Sequence, residues 1–235
     1  MPKSTRYRLP GTSWVCVECA KPVPSVMHAT NRLTQCATCG SFADKYVEYE
    51  SALIALDMLL HRRSVYRHML CNNTKSTSRV ALLELVSALC LFDAYLNWLR
   101  LGGQPWISRE ACYDGVLPSI AMLWSVVPAL LLSLAEQALF CAVVGAVSVA
   151  ARLTRQPWEP LTAAALISSF GKGFAVLHMI WSYPDAFLHA IEGFAFTCNC
   201  VALAVQLRCD VQQAVVVVAV GGAAKSALML VATLQ

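Results

Sequence analysis

Apolar residues gather along the chain into five long stretches, approximately 80–99, 117–150, 161–181, 186–207 and 211–234. Each is long enough to cross a hydrocarbon core of about 30 Å as a helix rising about 1.5 Å per residue. The pattern therefore predicts a membrane all-α protein with about five transmembrane helices. The second stretch is overlong and contains Pro118 and Pro128, so its first turns are expected to lie in the interface or to kink. The Tyr183–Pro184–Asp185 turn makes the third and fourth stretches a close hairpin, and a re-entrant arrangement or four crossings is the alternative. Trp98, Trp106, Trp158 and Trp181 stand near the ends, where an aromatic belt belongs.

Residues 43–71 are aromatic, apolar and basic by turns, and their apolar run ends by residue 60, too short to span. They read as one interfacial helix, apolar face down on the cytosolic leaflet. His61, Arg62, Arg63, Tyr66, Arg67 and His68 then become candidates for docking on lipid headgroups or a partner. A compatible reading packs the segment on the cysteine module before it. Residues 72–78 are a polar linker and 1–13 a basic, turn-rich tail. Three units result: the tail 1–13, a cysteine module with its interfacial helix over 14–73, and a helical membrane domain over 79–235.

Composition agrees with this division. Hydrophobic residues make up 57% of the 235 and charged ones 14%, with a mean hydropathy of +0.56, too apolar for a soluble domain of this length. Residues 1–79 hold 11 of the 18 Lys and Arg but 5 of the 14 Asp and Glu, a net of +6. Residues 1–10 lack the apolar core of a signal peptide, so the N-terminus is expected in the cytosol. That places Arg79, Arg152, Arg155 and Arg208 inside, and leaves Arg100 and Arg109, offset by Glu110 and Asp114, outside.

Four of the 11 cysteines form two C-x2-C pairs, Cys16/Cys19 and Cys36/Cys39, with sixteen residues between them. This spacing lets four thiolates close on one tetrahedral zinc ion as a zinc ribbon. Gly40 suits the tight turn after the second pair. Four thiolates leave no open coordination position, so the Zn2+ is read as structural, and it would supply folding free energy to a module too small to fold alone. His28 lies between the pairs and reads as a loop residue. Without a dense basic stripe, nucleic acid is not an expected partner. Cys198 and Cys200 point different ways on a helix, so no local bridge is expected.

The paired cysteines, then Asp44-Lys45-Tyr46-x-Glu48-Tyr49, Asp57-x-Leu59-Leu60-His61 and Tyr66-Arg67-His68, resemble the homology domain of the ARV family, named as ACAT-related and required for viability. A second block, LISSFGKGFAVLHMIW from Leu166 to Trp181, is similar to that family's most recognisable membrane segment. The resemblance implies a multi-pass endoplasmic-reticulum membrane protein of lipid homeostasis. It would serve sterol distribution and transport, with linked effects on sphingolipids, and support glycosylphosphatidylinositol (GPI) anchor synthesis. The lipid partners implied are sterol, phosphoinositide or GPI intermediates. The alternative role is a non-catalytic accessory subunit of the N-acetylglucosaminyltransferase complex of the first GPI step.

Ionisable groups at membrane depth are expensive and functional by default. Here they are Asp93, Glu136, Lys172, Glu192 and Lys225, while Glu84 lies near a helix end and can snorkel. The pattern puts Glu136 and Lys172 near mid-membrane and Asp93, Glu192 and Lys225 in the lumenal half. The expected pairs are Lys172 with Glu136 and Lys225 with Asp93 or Glu192. Gly171 and Gly173 beside Lys172 would let a lipid headgroup or another helix approach, and His178 is expected to hydrogen-bond internally. No nucleophile elbow, phosphate loop or paired-carboxylate motif is present, so an enzyme is not expected.

Overall fold

A computed structural model describes residues 14–28, 32–73, 75–100, 120–154, 158–181 and 183–233. The tail 1–13 and the positions of Trp106, Arg109, Glu110, Asp114, Pro118 and Arg155 lie outside the described residues.

Strand β1 (Trp14–Val15) pairs antiparallel with β2 (Pro22–Val23). The turn between them carries Cys16 and Cys19. The second pair sits on a turn of the same construction: Cys16 N–H donates to Lys21 O and Ala20 N–H to Cys16 O, as Cys36 N–H donates to Ser41 O and Gly40 N–H to Cys36 O. Both closing residues have positive φ, 61° at Ala20 and 73° at Gly40. Left-handed backbone strains alanine but not glycine. Ala20→Gly should therefore raise the urea resistance of the module by up to about 1 kcal/mol, and Gly40→Ala should lower it by a similar amount. Pulse proteolysis across residues 14–44 reads both.

After a single 3-10 turn (Lys45–Val47), helices α1 (Ser51–Leu59) and α2 (Arg63–Arg67) follow, and a π turn (His68–Asn72) ends the segment. The single interfacial helix expected over 43–71 is thus broken in two. The break is at His61, whose φ is 55°, and whose ring is held by Leu59 O at 3.0 Å and Thr197 Oγ1 at 2.8 Å. α1 is inside-out by the standards of a soluble helix. Asp57 and Met58 are buried, while Leu53, Leu56 and Leu60 are about half exposed on the outer side.

Among the described residues, five helical segments are long and apolar enough to cross a membrane. They are α3 (Arg79–Arg100), α4 (Ile120–Ala150), the composite of α5 (Trp158–Ser168) and α6 (Ala175–Ile180), α7 (Asp185–Leu207) and α8 (Val211–Thr233). The third crossing departs from the regular helix the pattern suggested, because a 3-10 stretch (Ser169–Phe174) separates α5 from α6. Ser168 and Ser169 donate back to Ala164 O and Ala165 O, contacts that bend helices. Gly171 then lies under the Phe194 ring, and a Cβ there would clash with it. Gly171→Ala should therefore cost about 1–3 kcal/mol through overpacking, readable as a lower Tm in detergent.

α3 packs on α4, α4 on α8, and α7 on both α5 and α8. Outward-facing Leu83, Leu91, Leu131, Val216 and Leu230 are exposed, as lipid contact requires. Trp158 and Trp181 are also exposed, as an aromatic belt needs, but Trp98 is buried among Tyr95, Leu96, Ala129 and Ile191. Its place near a helix end reflects core packing instead.

Candidate functional site

The four cysteine sulfurs lie within 4.8 Å of one another, with Cys16–Cys39 at 3.7 Å and Cys19–Cys36 at 3.6 Å. A disulfide would need about 2.05 Å. A tetrahedron with metal–sulfur bonds of about 2.3 Å has edges of about 3.8 Å, so the donor set fits a four-thiolate metal ion. The backbone N–H groups of Cys39 and Thr38 bring the Cys36 thiol down to about 6, whereas burial pushes Cys16 up to about 12. His28 is exposed and outside the cluster.

A buried polar network fastens this module to the helices that follow. Asp44 Oδ1 accepts from Tyr46 N–H, and its Oδ2 accepts from His68 Nδ1 and Asn72 Nδ2, each at 2.8 Å. Asn72 also pairs with both backbone groups of Val15, at 3.0 and 2.8 Å, and so acts as a third strand for β1. Arg67 donates to Val17 O and Glu18 O across the first cysteine turn. Tyr46 donates to Asp57 at 2.7 Å, and Arg62 pairs with the same carboxylate. Burial holds the Tyr46 and Tyr66 phenols well above the usual tyrosine range.

These contacts correct the docking set. Tyr66 and His68 are fully buried, Tyr66 in a cluster with Val17, Ile167 and Ala202. Arg67 is spent on the cysteine turn. His61 faces Thr197, Cys198 and the Phe194 ring of α7. Arg62 and Arg63 alone of the six are exposed. The side chains turn inward because the buried Asp44 carboxylate and the flank of α7 offer them partners.

The intramembrane charges form one layer, not two. Arg79 to Asp93, Ala150 back to Glu136, Trp158 to Lys172 and Val211 to Lys225 each span fourteen residues, and Leu207 back to Glu192 spans fifteen. Helix rise converts this to about 21 Å from one face. Lys172 Nζ lies 2.6 Å from Asp93, so its partner is Asp93 and not Glu136. Lys225 bridges Asp93 at 3.7 Å and Glu136 at 3.4 Å. Asn97, which the pattern did not single out although it follows Asp93 by one turn, donates to Glu136 at 3.0 Å. Glu192 lines an adjoining cavity of about 690 Å³ with Glu136, Lys172, Lys225, Phe140 and Phe196. His178 bonds internally to Tyr95 at 3.3 Å, as expected.

Comparisons with known proteins identify the family. The profile of the Arv1-like family matches residues 15–203. A Dictyostelium discoideum protein named arv1 homolog is 31% identical over 229 residues, covering 88% of this chain and 90% of its own. Protein ARV 2 of Arabidopsis thaliana is 31% identical, covering 81% and 82%. Protein ARV1 of Mus musculus is 29% identical, covering 88% and 78%. No solved structure matches the chain significantly. With the cysteine cluster, its polar fastening and most of the five crossings inside the matched range, the chain belongs to the Arv1-like family.

Proposed function

We propose that this protein acts in lipid homeostasis in the endoplasmic-reticulum membrane, mediating sterol distribution and supporting GPI-anchor synthesis, with Zn2+ bound structurally by Cys16, Cys19, Cys36 and Cys39. Family membership supplies the setting. The observation that carries a lipid-handling role is the cavity among the crossings, whose wall joins apolar Phe140, Phe196, Val218 and Met229 to the charge layer and to polar groups such as Gln137 and Asn199. Zinc is the ion that suits four thiolates in a closed tetrahedron. The module would face the cytosol, in keeping with Arg152 and Arg208 at the ends of α4 and α7 nearest it. Leu53, Leu56 and Leu60 would face the apolar part of the leaflet, because His61 just after them is held at Thr197, ten residues or about 15 Å inside the Leu207 end of α7.

Two measurements check this reading. In cells lacking their own family member, this chain should restore sterol distribution, and expression without restoration counts against the role. A polarity-sensitive fluorophore on Leu56→Cys should be quenched by lipid-borne quenchers, whereas one on Lys45→Cys should not. Equal quenching at both sites would reject the docked geometry. The alternative role, an accessory subunit of the first GPI glycosyltransferase, draws support from the exposed outer side of the module around Glu18, Thr38 and Cys39. It requires co-purification with that enzyme, lost in Cys16→Ser/Cys19→Ser.

A further inference from the structure

Glu136 is completely buried, yet only half of its carboxylate is used. Oε2 accepts from Asn97 and faces Lys225, while Oε1 has no hydrogen-bond partner among the described residues. A buried carboxylate oxygen without a donor is expensive, and membrane-spanning proteins place such groups where something satisfies them. Glu136 lines the 690 Å³ cavity, a volume that admits a compact amphiphile or one end of a larger one, and its shielded Oε1 meets an occupant by a turn of the side chain.

The charges around it decide what kind of head fits. Lys172 and Lys225 are the cavity's two lysines, and both already lean on carboxylates, Asp93 for the first and Asp93 with Glu136 for the second. Glu192 adds a further acid to the wall, three residues from His189, which also lines it. A phosphate entering here would have to strip a lysine from its acid and then face Glu136 and Glu192. A hydroxyl or an ammonium would instead supply the donor that Oε1 lacks.

Two glycines keep the space open. Gly193 and Gly222 both line the cavity, and a Cβ at either would meet nothing within 4 Å. The room at these positions is therefore not taken up by packing between helices.

We propose that this cavity binds an amphiphile whose non-anionic head, a hydroxyl or an ammonium, donates a hydrogen bond to Glu136 Oε1, with its apolar body against Phe140 and Phe196. The proposal rests on the lipid-handling reading above and narrows it to a site and a head-group chemistry.

The test uses the full chain in nanodiscs and three photoreactive probes with one common alkyl chain, ending in hydroxyl, ammonium or phosphate. The hydroxyl or ammonium probe, or both, should label peptides of α4 and α7 about tenfold more than the phosphate probe, the factor expected for one charge-assisted hydrogen bond. Glu136→Ala should remove that advantage. Glu136→Gln keeps an acceptor oxygen but not the charge, so it should spare the hydroxyl probe and weaken the ammonium probe, which tells the two heads apart. Gly193→Leu and Gly222→Leu fill the space without altering a charged residue and should block capture while the protein remains monodisperse. Equal labelling by the phosphate probe, or capture that survives both leucine variants, overturns the site. If capture fails in a protein that still restores sterol distribution, this inference falls alone. If capture holds in a protein that restores nothing, the functional reading falls and the site stands.

Discussion

Cys16→Ser/Cys19→Ser is expected to unfold residues 14–44 while leaving the five crossings assembled. The module's own core is small, chiefly Val23, Val26 and Ala43 with the buried Cys16 and Cys36, and its regular strands among the described residues are two residues long. A core of that size does not offset the chain entropy of some thirty residues. A structural zinc ion contributes about 10–16 kcal/mol near neutral pH in small modules, so its loss outweighs every other contact there. Wild-type protein should carry one zinc per chain by elemental analysis. The double variant should carry none and be cut rapidly by protease between residues 14 and 44. Because the thiolates must be deprotonated to hold the metal, acid should release it. Metal-free protein with an uncut module would overturn this expectation.

The second large effect is expected at Asp93. This carboxylate lies between two ammonium groups, Lys172 and Lys225. Asp93→Ala leaves two cations facing each other at membrane depth, and breaking a buried pair from one side costs about 3–5 kcal/mol. Lys172→Met should be milder, since Asp93 keeps Lys225 and no like charges are left opposed. The combination Asp93→Ala/Lys172→Met should then recover part of the loss, with Lys225 still held by Glu136. Thermal unfolding in detergent gives the order directly. Equal damage from Asp93→Ala and Lys172→Met, or no recovery in the double variant, would show that the layer does not act as a unit.

The crossings and the four-cysteine cluster were legible in sequence because both are local signals. A run of some twenty apolar residues and a two-residue gap between cysteines each carry their meaning without a partner. Residues 61–68 were misread for the opposite reason. An Arg/His/Tyr-rich segment beside a membrane looks like a headgroup-binding face, and only the distant Asp44, Val17 and Thr197 reveal that His68, Arg67 and His61 turn inward. The Lys172 partner was also missed, although the layer itself could have been counted. Once each span is measured from the same face, Asp93, Glu136, Lys172 and Lys225 fall at one depth. The 3-10 stretch at Ser169 was hidden because Ser168 and Ser169 read as small residues of an apolar run, and only the fold shows their hydroxyls donating to Ala164 O and Ala165 O.

That common depth has a consequence for biogenesis. The first crossing reaches the bilayer with Asp93 before either of its lysines has been made. An acidic residue near a helix centre penalises insertion by about 3 kcal/mol. The shortfall is relieved only when the third crossing delivers Lys172, seventy-nine residues later, and Glu136 waits for Lys225 in the final helix. Early crossings are therefore marginal tenants of the bilayer during synthesis, and the fifth crossing seals the register of those before it.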